Sequence, residues 1–116
     1  MMTTEPPYAD VLRRLAFNDV RTVDSVLAGS IDFADDVDLG EKMVSLVRIA
    51  ALIASEAASP SYQWAVATAL AAGASENEVV TVLLKIAAIV GVARATSAAC
   101  ALGGALGLEL DELESS

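Results

Sequence analysis

The sequence predicts an all-α protein, a bundle of about six helices that forms an obligate homo-oligomer. Apolar residues recur at helical spacing in successive segments, and signals for helix starts and stops separate those segments. Apolar residues make up 55% of the chain and aromatic residues only 4%, so the core is expected to consist of Ala, Val, Leu and Ile. This is more apolar surface than the interior of one 116-residue protomer needs, so we expect apolar helix faces to be buried between subunits. A monomer with an unusually complete core is the alternative.

A single helical domain is expected from residue 8 to residue 116, preceded by a disordered tail at residues 1–7. The tail has two prolines and no apolar period. Apolar residues at helical spacing then predict one helix from Tyr8 to Phe17 and another from Val20 to Ala28, which ends at Gly29.

An acidic loop is predicted from Ser30 to Asp38, because this stretch is rich in aspartate and has no regular apolar period. A calcium site is one interpretation of the aspartates. Their spacing differs from that of an EF-hand, which also needs a central glycine and a glutamate at a set distance beyond it. A solvated linker is therefore the simpler interpretation.

The next helix is expected from about Leu39 to Ala57, and it is apolar almost all round. A helix of this kind belongs in the middle of a bundle or between subunits. The following helix, from Pro60 to about Ala72, begins with Ser59 as its N-cap and stops at Gly73.

The fifth helix is predicted from Glu76 to about Val90. Ser75 and Glu78 form a capping box at its start, and Gly91 interrupts it. This helix and the two before it are expected to form the centre of the bundle.

The last predicted helix runs from Val92 to Leu102 and is rich in alanine, which suits close packing against another helix. Its single cysteine, Cys100, is expected to be an inert core residue. The acidic tail from Leu106 to Ser116 is expected to be a short helix at best.

Composition excludes several classes of function. A net charge of −9 and few aromatic residues make a nucleic-acid partner improbable. The chain has no histidine and one cysteine, so neither an ordinary zinc site nor an intramolecular disulfide is expected, and no cofactor is predicted. A cytoplasmic protein without a signal peptide or a membrane span is the expectation.

The helix-turn-helix from Ser59 to Gly91 resembles the carboxymuconolactone decarboxylase and alkylhydroperoxidase-D-like family, and its decarboxylase branch in particular. The resemblance rests on Tyr62-Gln63-Trp64-Ala65, on the spacing of Ala69 and Gly73, on the Ser75-x-x-Glu78 box and on the helix that follows. Weaker similarity covers most of the remaining chain. The resemblance implies an alkylhydroperoxidase-D-like helical bundle that assembles as a trimer or a hexamer.

The chain departs from this family at the residues that carry its chemistry. The resemblance places the family's catalytic histidine at Ala65, and it places the Cys-x-x-Cys pair of the redox branch at Ala58 and Ser61. None of the three functional residues is present. Thiol redox catalysis is therefore excluded at this site.

Other residues could still serve a ligand of the kind the resemblance implies, a small organic acid or a lactone. Glu56 could act as acid or base if a pocket desolvates it, or it could be an exposed residue at a helix end. Arg48 or Arg94 could hold a carboxylate, or each could form a structural ion pair. Ser61 and Trp64 are expected to line the pocket beside Ala65. These six positions are the candidate site residues.

Three functions remain open. The chain could be a non-redox binding protein or pseudoenzyme, which the absence of histidine and of the cysteine pair favours. It could be a divergent decarboxylase or lactone-processing enzyme that uses Glu56. It could also be a variant of an active decarboxylase in which Ala65 replaces the natural histidine.

Overall fold

The structure, a computed structural model, describes residues 5–30 and 36–108, and these residues form six α-helices. The helices are α1 (Pro7–Ala16), α2 (Val20–Leu27), α3 (Gly40–Ala54), α4 (Ser59–Ala71), α5 (Glu76–Val90) and α6 (Val92–Ala105). The prediction of an all-α chain with about six helices is confirmed for this part of the chain. Most of the predicted N-terminal tail, the middle of the acidic loop and the acidic C-terminal segment fall on residues 1–4, 31–35 and 109–116, outside the described residues.

The chain divides into two compact units, residues 1–38 and residues 39–116. The first contains α1 and α2. Asn18 follows α1 with a φ of 57°, and Asp19 then caps α2 by accepting hydrogen bonds from the backbone N–H of Thr22 at 3.1 Å and from its hydroxyl at 2.7 Å. These local interactions restart the helix at Val20, as the sequence predicts.

The second unit is a four-helix bundle. Helix α3 packs against α4 and α5, and α6 packs against the same two helices, so α6 is as central as the three helices predicted to form the middle. The core residues are Ile49, Ile53, Tyr62, Ala65, Val66, Ala69, Ala74, Val79, Leu83, Ala98 and Leu102. Apart from Tyr62 they are aliphatic, as the composition predicts. Helix α6 runs three residues past its predicted end, and Gly103 is buried within the helix.

Gly91 alone separates α5 from α6. It is both the last cap of α5 and the first cap of α6, and its φ of 92° lies in a region that residues with a Cβ rarely adopt. The interruption predicted at this residue is confirmed.

The predicted capping box at the start of α5 is also confirmed. The Ser75 side chain accepts from the Glu78 N–H at 3.0 Å, and Glu78 Oε1 accepts from the Ser75 N–H at 2.9 Å. The second carboxylate oxygen of Glu78 lies 2.8 Å from Nζ of Lys42. One glutamate therefore caps α5 and links its first turn to α3.

These contacts predict a loss of stability in acid. The hydrogen bond from Lys42 and the backbone hydrogen bond from Ser75 lower the pKa of Glu78 below its ordinary value of 4.5. A lowered carboxyl pKa adds stability above the ordinary value, and this stability is lost as the pH falls through the folded-state pKa. We expect the melting temperature to fall between about pH 5 and about pH 3, and to fall less in Glu78→Gln, which keeps the cap but cannot titrate.

The control is Glu76→Gln, which removes the same charge from the same helix turn without touching the cap. A melting temperature that depends on pH equally in Glu78→Gln and in the wild type would contradict the prediction.

None of the described helices combines the length and the apolar character that crossing a membrane requires.

Candidate functional site

Three of the candidate site residues meet in one cavity between α3 and α4. Arg48 and Leu52 from α3, with Pro60, Ser61 and Trp64 from α4, line a space of about 390 Å³, called the Trp64 cavity below. The guanidinium carbon of Arg48 stands 5.0 Å from the centre of the Trp64 ring, a cation–π contact. Trp64 is 59% exposed, so it forms part of the open wall of the cavity.

Helical spacing explains this arrangement. Arg48 and Leu52 are four residues apart on α3, and Pro60, Ser61 and Trp64 lie on the first turns of α4 at spacings of three and four. No acidic side chain lines the cavity, and no carboxylate of the described residues pairs with Arg48. The cavity therefore contains a positive charge that its own walls do not neutralise.

Two further candidate residues meet elsewhere. Glu56 and Arg94 line a second space of about 330 Å³ between the start of α4 and α6, together with Ser59, Tyr62, Ser97 and four alanines. This is the Tyr62 cavity. Nη1 of Arg94 donates to the carbonyl oxygen of Ala54 at 3.1 Å, and Nε of Arg94 lies 3.5 Å from Oε1 of Glu56. The structure does not bring Glu56 or Arg94 into the cavity beside Trp64.

Glu56 lies beyond α3, although the sequence predicts a helix through Ala57. The helix ends at Ala54, and Glu56 has a φ of 55°, in the left-handed region. Its N–H donates to the carbonyl of Ile53 and the N–H of Ala57 donates to that of Leu52, the two hydrogen bonds of a Schellman motif. The sequence does not reveal this stop because no glycine marks it. The Glu56 side chain is 59% exposed, so the protomer does not bury it as the acid or base hypothesis requires.

Ala65 faces the core of the bundle. It is 1% exposed, and it is not among the residues that line either cavity. Ala65, where the resemblance places a histidine, therefore does not share a cavity with Ser61 and Trp64 in the structure, contrary to the expected arrangement of these three residues.

Tyr62 was not among the candidate site residues. It is 2% exposed, and burial raises the pKa of its hydroxyl, so the phenol stays protonated near neutral pH. Within the described residues no group hydrogen-bonds to this hydroxyl, and the oxygen is not among the fully buried atoms that lack a partner, so it reaches the solvent of the Tyr62 cavity. A tyrosine in an otherwise aliphatic core is a signal that sequence reasoning could have used, because its hydroxyl ordinarily has a partner or reaches water.

Cys100 is exposed, so the expectation of a core cysteine is wrong. On α6 the buried residues are Ala98, Leu102 and Gly103, and the two buried side chains larger than glycine lie two positions before and two after Cys100. A spacing of two places a residue on nearly the opposite face of a helix.

An apolar groove runs between α3 and α5. Its lining residues are Met43, Leu46, Val47, Ala50, Val82, Lys85, Ile86 and Ile89, around a space of about 320 Å³. This is the α3/α5 groove. Met43, Val47 and Ile89 are 52%, 59% and 82% exposed, which is a large apolar area for a protomer to leave in water.

No match was found when the chain was compared with models of known protein families, with curated proteins and with solved structures. The resemblance to the decarboxylase family therefore stays a prediction. Among the described residues no three His, Cys, Asp or Glu side chains cluster in a way that could hold a metal ion.

Proposed function

We propose that the protein is a non-redox binding protein of the carboxymuconolactone decarboxylase-like type, which holds a small organic acid in the Trp64 cavity and works as a homo-oligomer. The observation that carries this proposal is the Arg48 guanidinium, whose carbon lies 5.0 Å from the centre of the Trp64 ring and which pairs with no carboxylate of the described residues. A cation–π contact uses the positive charge and no N–H hydrogen bond, so the N–H groups stay available to another partner. A carboxylate can accept two parallel hydrogen bonds from these N–H groups.

The rest of the cavity suits the remainder of such a ligand. Leu52, Pro60 and the indole of Trp64 supply apolar surface, and the Ser61 hydroxyl adds one more polar group. Ligand pockets in proteins usually hold about 300–1,000 Å³ and combine an apolar lining with a few polar groups. A volume of about 390 Å³ fits a small aromatic or conjugated acid.

Binding rather than catalysis is proposed because the Trp64 cavity lacks a proton-transfer group. Decarboxylation of a lactone intermediate needs an acid within reach of the reacting carbon. Glu56 lines the other cavity, and Ala65 is packed in the core. A ligand held by Arg48 therefore has no acid or base from the described residues of this protomer beside it.

Assembly into a homo-oligomer is proposed through the α3/α5 groove. The groove is apolar apart from Lys85, and the chain's net charge of −9 lies elsewhere on its surface. Two copies can therefore bring their grooves together without opposing their acidic residues, which removes exposed aliphatic surface from water.

Trp64 is the chain's single tryptophan, so its fluorescence reports on this cavity alone. Benzoate is expected to change the emission saturably, and uncharged benzamide is expected to bind at least about 10-fold more weakly. Arg48→Met should weaken benzoate binding by about 10- to 100-fold, because hydrogen bonds between charged groups are the strong ones. Calorimetry provides an affinity that does not depend on how Arg48 itself quenches Trp64.

The matched control is Tyr62→Phe, which lies outside the Trp64 cavity and should leave benzoate affinity unchanged. Equal affinities for benzoate and benzamide, or an Arg48→Met variant that binds benzoate as the wild type does, would contradict the proposal.

A further inference from the structure

Five helices of the described residues, α1, α2, α3, α4 and α6, end in the same backbone motif. In each, a residue with positive φ follows the helix and two backbone hydrogen bonds close the last turn. The positive-φ residues are Asn18, Gly29, Glu56, Gly73 and Gly107. Glycine adopts this conformation freely and asparagine tolerates it, whereas glutamate gains nothing from it. Glu56 therefore adopts a backbone conformation that costs the fold more than glycine would there, and such strain is most common at functional sites.

Arg94 faces this carboxylate without being satisfied by it. A guanidinium has five N–H groups, and the one hydrogen bond of Arg94 within the described residues goes from Nη1 to Ala54. The contact from its Nε to Glu56 is 3.5 Å, longer than the roughly 2.7–2.9 Å of a charge-assisted hydrogen bond. Both side chains are about half exposed, so the pair is loose and accessible.

The same cavity is lined by a hydroxyl that has no hydrogen-bond partner in the protein among the described residues. Tyr62 is almost fully buried, lines the cavity, and has a hydroxyl without a protein partner among the described residues. The hydroxyl is not among the fully buried side-chain atoms that lack a partner, so it has contact with the solvent in the cavity, where a ligand atom can bond to it. The first residues of α4 lie beside it, and no side chain of the described residues caps that helix, whose positive end favours an anionic group.

The Tyr62 cavity thus contains groups that favour a negatively charged ligand group and a group that favours a positively charged one. Arg94, the Tyr62 hydroxyl and the start of α4 favour a carboxylate, while Glu56 favours a cation. A simple anion would meet Glu56 and the protein's net charge of −9. A zwitterion meets neither difficulty, because it carries both charges and no net charge.

We propose that the Tyr62 cavity is a second binding site, independent of the Trp64 cavity, that takes a small α-amino acid. The ligand carboxylate is bound by Arg94 and by the hydroxyl of Tyr62, and the ammonium group is bound by Glu56. The volume of about 330 Å³ has room for a small amino acid, and alanines of α6 form one side of it.

Calorimetric titration of the 116-residue chain tests this site with glycine, L-alanine and L-serine as probes. At least one is expected to bind at concentrations up to about 10 mM. For the best probe, the α-hydroxy acid and the amide of the same skeleton, such as lactate and alaninamide for alanine, are expected to bind about 10-fold more weakly or worse. Glu56→Gln, which removes the charge, should weaken binding by about 10-fold, and Tyr62→Phe, which removes the hydroxyl, should also weaken it.

Two further variants test whether the amino acid binds in the Tyr62 cavity and whether its binding requires the Glu56 carboxylate. Arg48→Met should bind the amino acid as the wild type does, so the outcome does not depend on the proposal for the Trp64 cavity. Glu56→Gly should lose binding but melt at a higher temperature than the wild type, because glycine relieves the backbone. No binding of any of the three probes, binding that is unchanged in Glu56→Gln and Tyr62→Phe, or a lower melting temperature in Glu56→Gly would overturn the proposal.

Discussion

Under the proposed assembly through the α3/α5 groove, Ile89→Asp is expected to yield monomers that remain folded. Ile89 lies at the edge of the α3/α5 groove and is 82% exposed, so an aspartate there meets water in the free protomer and costs its fold little. In an interface the same carboxylate would be buried without a partner, at a cost of several kcal/mol. Sedimentation equilibrium should show the loss of assembly, and circular dichroism should show the helices retained.

Leu84→Asp is the matched control for this variant. Leu84 is also on α5 and is 67% exposed, but it does not line the groove. It should therefore leave the assembly intact. A wild-type chain that sediments as a monomer would refute the proposed assembly, and dissociation by Leu84→Asp but not by Ile89→Asp would refute the groove as its interface.

Ile53→Ala is expected to lower the free energy of unfolding by about 2–5 kcal/mol, a large part of the about 5–15 kcal/mol that domains of this size possess. Ile53 is 0% exposed at the centre of the bundle, where the surrounding helices cannot collapse fully into the space it leaves. Chemical denaturation measures this best in the Ile89→Asp background, where assembly does not contribute to stability.

Two milder substitutions serve as controls for the loss of stability expected in Ile53→Ala. Ile53→Val should cost about 0.5–1.5 kcal/mol because it removes a single methylene. Val44→Ala, on the same helix but 42% exposed, should cost about 0.5 kcal/mol or less. A loss below about 1 kcal/mol in Ile53→Ala would contradict the placement of this residue in the core.

Local signals made most of the fold predictable. The Ser75–Glu78 box and the interruption at Gly91 are confirmed because they depend on backbone groups within one helix turn. The end of α3 was predicted at Ala57 but lies at Ala54, because no such local signal marks it. Glutamate has no intrinsic preference for the left-handed conformation, so the residues around Glu56 contain no signal that the helix ends there.

The candidate site was predictable in its members but not in its grouping. Arg48, Ser61 and Trp64 do share a cavity, as three residues expected to contact a ligand should. The separation of Glu56 and Arg94 into another cavity depends on how α4 and α6 pack, and spacing along one helix contains no information about that. Tyr62 is buried whereas its two neighbours in the motif, Gln63 and Trp64, are exposed. The motif itself does not show which of its three residues faces the interior, so Tyr62 was not predicted as a site residue.

Only one residue, Gly91, connects α5 to α6, so the junction has no loop that could adjust its length. An inserted residue there has no loop to absorb it, so it would change the position and the rotation of α6 relative to α5. Ala98 and Leu102 would then swing out of the interior, and the α6 wall behind Tyr62 would go with them. Length at this corner is therefore as tightly constrained as side-chain identity in the interior.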